Sequence, residues 1–228
     1  MKHIDRYQDQ KKRISYWEIG LLETIREKVG GGWKAYFVTL QYRPLPGDMK
    51  VKMSLMNREA DRVGKFVMSR LYRNPKNVPD ELQPIWYVFP DFPVHKKEKV
   101  SLHEVTINDG LHQHAIVLIP VSGTRTKLRL AKHFKEHQHE YVFAGEDTPL
   151  ALVHAKRIAQ EEPDLQKVVS YALKAIKNGH AEIDDIYVPA WEYRRKRDPD
   201  SPYPGPDAPR QYGARRAIST RRRRLVRR

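Results

Sequence analysis

In the middle of the chain, two runs in which apolar and polar residues alternate lie on either side of a tight-turn dipeptide. This pattern predicts antiparallel β-structure. The runs lie at 100–108 and 111–120 and flank Asp109-Gly110, in a region that includes the stretch HEVTINDGLHQHAIVLIP at 103–120. Asp-Gly between alternating apolar runs is a strong local signal for a β-hairpin. Because side chains alternate along a strand, His112 and His114 are expected to project from the same face of the second strand.

The other periodic segments predict further strands and several helices. Residue types and apolar spacing favour strands at 33–43, 85–92 and 151–158 and helices at 14–32, 57–73, 126–138 and 163–179. The last helix has Pro163 in its first turn and Asn178-Gly179 at its end, which are typical start and stop signals. Strands in hairpins with helices between them predict an α+β fold, with a central antiparallel sheet of about five strands and helices packed on it.

Positive charge is concentrated at the C-terminal end of the chain. The net charge is +15 over 228 residues, and residues 194–228 hold 13 Lys and Arg against three Asp. We predict one folded domain at 1–193, followed at 194–228 by a Pro-rich linker and a basic tail. Clustered cations favour polyanionic partners, nucleic acid first and an anionic membrane surface second. The arginines expected to contact DNA are Arg194, Arg195, Arg215, Arg216, Arg221 and Arg222.

The chain lacks cysteine and lacks a long apolar run, and these absences limit the chemistry and the cellular compartment that we expect for it. The chain has no cysteine, which excludes disulfides, thiolate zinc sites and a cysteine nucleophile. It also lacks the run of about 18 apolar residues that a membrane span requires. We therefore expect a cytoplasmic protein without a membrane partner.

The histidine pair predicts a divalent metal site. Two imidazoles one residue apart on a strand can grip a single ion, and the neighbouring strand of the hairpin can supply a third ligand. A three-residue loop would place Glu104 opposite His114, whereas a two-residue loop would put His103 or Val105 there instead. We favour Glu104, because two imidazoles with one carboxylate suit Mg²⁺ or Mn²⁺ and leave coordination positions open for substrate.

Three short motifs, taken in order, resemble those of the HUH endonucleases, specifically the single-tyrosine rolling-circle replication initiators of plasmids and phages. They are Phe37-Val38-Thr39-Leu40 on a strand, His112-Gln113-His114 followed by an apolar run, and Tyr171-Ala172-Leu173-Lys174 on a helix. Gln113 departs from the bulky apolar residue usual between the two histidines. Glu104 keeps the spacing at which relatives carry a glutamate before the first histidine. The resemblance spans roughly 33–179.

The resemblance implies that the protein nicks and joins single-stranded DNA. Tyr171 would attack a phosphodiester and hold the 5′-phosphate covalently, while Lys174 would neutralise charge beside it. His112, His114 and Glu104 would hold the metal ion. The partner would be single-stranded or hairpin DNA at a replication origin. Because the chain lacks a helicase-type phosphate loop, a host helicase would separate the strands.

Parts of the sequence also fit four other functions. A single-tyrosine HUH transposase fits the same motif order, and Tyr7 or Tyr16 would suit a relaxase-like enzyme, in which the tyrosine precedes the histidines. A binding module that grips nucleic acid without cutting it would need only the basic tail and exposed aromatic residues. The stretch HFKEH at 133–137 matches the H-x-x-E-H pattern of some zinc proteases.

Overall fold

The computed structural model describes residues 2–92, 111–142, 148–159 and 162–189. The helices are α1 (Lys2–Gly30), α2 (Met49–Leu71), α3 (Leu130–Glu136), α4 (Gln138–Val142), α5 (Glu162–Ala172) and α6 (Lys174–Lys177). The strands are β1 (Lys34–Tyr42), β2 (Ile85–Asp91), β3 (His112–Ile119) and β4 (Leu150–Arg157). The predicted strand at 100–108 and the predicted tail at 194–228 lie outside the described residues.

The four strands form one antiparallel sheet in the order β2-β3-β1-β4. The α+β class is therefore confirmed, with four strands in the described ranges against about five expected. Along His112–Leu118, the two hydrogen-bonding edges of β3 are occupied by β1 and β2. The predicted hairpin partner of β3, residues 100–108, lies outside the described residues.

All four predicted helices have different bounds in the structure: α1 begins at Lys2 and not at residue 14, and the predicted helix 126–138 is replaced by α3 and the start of α4. Helix α2 begins at Met49 and not at Asn57, because Asp48 caps it by accepting a hydrogen bond from the Val51 amide (2.9 Å). The segment 163–179 is interrupted at Leu173, which separates α5 from α6. Its predicted end is confirmed, since Gly179 has a φ of 71°, a left-handed conformation that favours glycine.

The two faces of the sheet are covered by different helices. Ile116 and Leu118 of β3 belong to a buried apolar cluster that includes residues of α1, α5 and α6. On the opposite face, Tyr42 and Gln113 bond to residues of α2. Burying side chains such as Ile116 and Leu118 stabilises the fold by about 1.5–3 kcal/mol each. His112 and His114 lie on the same face of β3 as Ile116 and Leu118, nearer to the end of the sheet at which the apolar cluster ends.

None of the helices in the described ranges is both long enough and apolar enough to cross a membrane.

Candidate functional site

The sheet register brings an aspartate, two histidines and a threonine to one face. Asp91, the last residue of β2, lies directly opposite His112 of β3. Thr39 of β1 lies opposite His114 on the other edge of β3. Because side chains alternate along each strand, all four side chains project toward the α1 and α5 side of the sheet.

Three potential ligand atoms converge at this point. The Nε2 atoms of His112 and His114 lie 3.1 and 3.3 Å from Asp91 Oδ2 and 3.1 Å from each other. Ligands held about 2.1 Å from one ion are about 3.0 Å apart at right angles and about 3.4 Å apart at tetrahedral angles. The observed separations fall between these two values, so the spacing of Asp91, His112 and His114 is that of a group able to hold a metal ion.

The second oxygen of the Asp91 carboxylate also fits a metal site. Asp91 is 3% exposed, and its Oδ1 atom is buried without a hydrogen-bond partner among the described residues. A buried, unpartnered carboxylate oxygen is costly in a folded protein and calls for an explanation. Bidentate binding of a cation, or a water bound to that cation, would satisfy it.

Electrostatics give these groups the protonation states that metal ligands need. Burial alone would raise the pKa of Asp91, but hydrogen bonds from His112 and His114 and the charges of His112 and Lys174 outweigh it, and the pKa lies below its usual range. Burial lowers the pKa of His114, and the charges of His112 and Lys174 add to that effect against the pull of Asp91. A carboxylate and a neutral imidazole are therefore favoured near neutral pH.

Thr39 orients the buried histidine from behind. Its Oγ1 lies 3.2 Å from Nδ1 of His114, the ring nitrogen that faces away from Asp91. The hydroxyl can donate to Nδ1 or accept from it, so it serves either tautomer. Contacts of this kind fix the ring orientation of metal-binding histidines.

Tyr171 and Lys174 join the same site from the helical side. The Tyr171 ring packs against His114 and Phe37, with centroid separations of 5.1 and 5.9 Å, and its side chain is 47% exposed. Lys174 Nζ lies 3.5 Å from Asp91 Oδ2 and 5.5 Å from the Tyr171 ring centroid. A solvent-accessible phenol and a lysine thus stand next to the potential metal ligands.

Sequence reasoning named four of these residues and missed Asp91. The structure brings His112, His114, Tyr171 and Lys174 together. Glu104 and the tail arginines lie outside the described residues, so their roles stay predictions. The available signal for Asp91 was a carboxylate at the end of the predicted strand 85–92, but only the pairing of β2 with β3 shows that it faces the histidines.

Gln113 has a structural role that explains why a polar residue stands between the histidines. It is fully buried and points to the opposite face of the sheet, where it accepts a hydrogen bond from the Tyr42 hydroxyl (2.6 Å). Its amide nitrogen donates to Asn57 Oδ1 on α2 (2.7 Å). Both the oxygen and the nitrogen of the amide are hydrogen-bonded, so Gln113 links β3 to β1 and α2 and does not contact the Asp91, His112 and His114 group.

The histidines of the HFKEH stretch have other partners. His133 Nε2 lies 2.7 Å from the hydroxyl of Tyr141, and His137 Nδ1 lies 3.0 Å from Glu140 Oε1. Burial, together with the nearby charges of His137 and Arg70, lowers the pKa of His133 to about 4. Within the part of the chain that the structure describes, Asp91, His112 and His114 form the one grouping of three metal-ligating side chains.

Comparison with known proteins gives little further guidance. No protein-family model matches the chain, and no curated protein does. A match among solved structures is the crystal structure of the hypothetical protein ORF119 from Sulfolobus islandicus rod-shaped virus 1. That match has 15% sequence identity and a TM-score of 0.30, and it covers 62% of this chain and 81% of that one. A likeness this low supports no inference about fold or function.

Proposed function

We propose that the chain is an HUH-type endonuclease that nicks and rejoins single-stranded DNA, with Tyr171 as nucleophile and a divalent metal ion held by Asp91, His112 and His114. The observation that carries this proposal is the packing of the half-exposed Tyr171 ring against His114. Tyr171, the proposed nucleophile, therefore lies beside a group able to hold a cation, and this pairing supports phosphodiester cleavage through a covalent intermediate.

The chemistry divides among these residues as follows. A divalent ion, when bound, would polarise the phosphate and offset its negative charge. Tyr171 Oη attacks phosphorus and gives up its proton, while the bond from phosphorus to the 3′-oxygen breaks. The products are a 5′-phosphotyrosine and a free 3′-OH, which takes up a proton. Lys174, 3.5 Å from Asp91 Oδ2, adds a positive charge where charge develops in the transition state.

The proposed intermediate also connects the site to replication. Because the phosphotyrosine keeps the energy of the cleaved bond, attack by a 3′-OH can rejoin strands without ATP. The released 3′-OH can meanwhile prime synthesis, as initiation of rolling-circle replication of a plasmid or phage requires. Phe37 and Tyr171 present partly exposed aromatic rings at the site, and such rings stack on the bases of single strands.

Covalent capture of DNA tests this proposal, with Tyr16 as a matched control. Tyr16 lies on α1 and is 72% exposed, so Tyr16→Phe and Tyr171→Phe each remove one exposed hydroxyl. Labelled single-stranded DNA from the protein's own replicon would be incubated with Mn²⁺ and separated on a denaturing gel before and after protease digestion. We expect a protein–DNA adduct in wild type and Tyr16→Phe, and none in Tyr171→Phe or with EDTA.

Other results would contradict specific parts of the proposal. An adduct that survives in Tyr171→Phe but is lost in Tyr16→Phe would move the nucleophile to α1, as in a relaxase-like enzyme. DNA binding without an adduct on any strand would indicate a binding module. An adduct that forms equally well in EDTA would show that the metal group has another role.

A further inference from the structure

A cavity of about 230 Å³ lies at the end of the sheet where β1 begins and β4 ends. Its walls come from α1, β1, α5 and the end of β4 with the residues that follow it. Four of the lining side chains belong to the buried apolar cluster and are at most 5% exposed: Ile25, Ala35, Ile158 and Leu165. The cavity is therefore a gap in the apolar core.

The same cavity is lined by three cations. They are Arg26 of α1, Lys34 at the start of β1 and Arg157 at the end of β4. Arg157 pairs with Tyr36, two residues beyond Lys34, so Lys34 and Arg157 are diagonal neighbours on adjacent strands. Partial burial lowers the pKa of Lys34, and the nearby charge of Arg157 lowers it further. None of the described residues that line the cavity is acidic, so its charged side chains are all positive.

The size and the chemistry of the cavity together select a class of ligand. An apolar cavity of about 150 Å³ holds one benzene molecule, or about 25 Å³ per non-hydrogen atom, and at that density 230 Å³ holds about nine atoms. A fully apolar ligand would leave the cations without an anion, and inorganic phosphate would leave the apolar walls uncovered. A carboxylate on an aliphatic chain of about eight carbons satisfies both, and carboxylates match the geometry of arginine.

We propose that this cavity binds a medium-chain carboxylic acid, with the aliphatic chain against Ile25, Ile158 and Leu165 and the carboxylate at Lys34 and Arg157. The ligand enters as the carboxylate anion and forms no covalent bond with the chain.

The proposed ligand site is separate from the metal and tyrosine site. Seven residue steps along β1 separate Lys34 from Gln41, which lies opposite His112. At about 3.4 Å per residue, this separation is about 24 Å. The inference therefore goes beyond the proposed nicking function and does not depend on it.

Calorimetric titration of the full chain with octanoate, octanol and octylammonium tests the need for an anion. The three probes share a chain length and differ in head group, and all would be used below the concentration at which they form micelles. We expect octanoate to bind, octanol to bind about tenfold more weakly, and octylammonium not to bind measurably, because the cations favour an anionic head group.

Chain length tests the apolar walls. Each buried methylene contributes about fourfold to affinity, so hexanoate should bind about 15-fold more weakly than octanoate. Decanoate should bind no more tightly than octanoate, because its chain exceeds the volume of the cavity. Acetate, which has the head group without the chain, should not bind measurably.

Two variants with matched controls test the location. Half-buried Val29 lines the cavity from α1, so Val29→Phe would fill it, whereas Val168 packs on the same apolar cluster without lining the cavity and Val168→Phe is the control. Arg157→Gln removes an exposed cation of the cavity, and Lys156→Gln removes an adjacent exposed cation that does not line it. Octanoate affinity should fall about tenfold or more in Val29→Phe, fall about fivefold in Arg157→Gln, and stay within about twofold in both controls. Thermal unfolding without ligand would establish that each variant is folded.

Four outcomes would overturn the proposal. Equal binding of octanoate and octylammonium would show that the cations select nothing. Equal binding of acetate and octanoate would reduce the site to an anion contact. Unchanged octanoate affinity in Arg157→Gln and in folded Val29→Phe, or equal losses in the two controls, would place the ligand elsewhere.

Discussion

Replacing Thr39 with valine should weaken metal binding although Thr39 is not itself a ligand. Valine has nearly the shape of threonine but cannot bond to His114 Nδ1, which lies 3.2 Å from the Thr39 hydroxyl. When Nε2 of His114 binds a cation, the ring is polarised and its Nδ1–H becomes a stronger donor to Thr39. The hydrogen bond is therefore worth more in the metal-loaded protein than in the metal-free one.

The size of the effect follows from that difference. A neutral hydrogen bond contributes about 0.5–1.5 kcal/mol net, and one with charge assistance contributes about 1.5–3 kcal/mol. Because Thr39 is half-buried, we take the lower part of the second range. The loaded protein then loses about 1 kcal/mol more than the metal-free one, which weakens Mn²⁺ affinity about fivefold.

Calorimetric Mn²⁺ titration of wild type, Thr39→Val and Thr39→Ser would measure this loss. Serine keeps the hydroxyl and should retain affinity within about threefold of wild type. Thr24→Val is a matched control, because the Thr24 hydroxyl donates to the Gly20 carbonyl within α1, away from the site. Wild-type affinity in Thr39→Val, or an equal loss in Thr39→Ser, would refute a role for the hydroxyl bond.

Two further predictions concern stability. Gln113→Leu should destabilise the fold by about 2 kcal/mol in urea unfolding, because it removes the donor to Asn57 Oδ1 and the closer acceptor of the Tyr42 hydroxyl, which keeps only its longer bond to the Met56 carbonyl. Gln113→Leu combined with Tyr42→Phe should cost about 1 kcal/mol less than the sum of the single changes, and strict additivity would contradict this coupling. In EDTA, the stabilising charge of Asp91 is fully effective above its unfolded pKa of about 3.9 and is lost as the pH falls through its lower folded pKa. The stability difference between wild type and Asp91→Asn should therefore shrink from about pH 6 to about pH 3, and a constant difference would show that the carboxylate is not preferentially charged in the fold.

Local sequence patterns predicted most elements of the fold. Strands β1, β2, β3 and β4 lie where residue types favour them, because β-branched and aromatic residues suit a half-buried pleated surface. The α+β class followed from their alternation with helical segments. Bounds were less predictable: a single carboxylate at Asp48 starts α2 two turns before the predicted Asn57.

The sequence by itself determined that His112 and His114 share a face and that Tyr171 and Lys174 share a helical side, since both facts follow from the repeat of a strand or a helix. Only the tertiary structure decided that β2 lies beside β3, and hence that Asp91 meets both histidines. It likewise decided which partners Gln113 meets on the opposite face, Tyr42 and Asn57. Such pairings depend on which distant strands bury their apolar faces together, and no local period of the sequence encodes that choice.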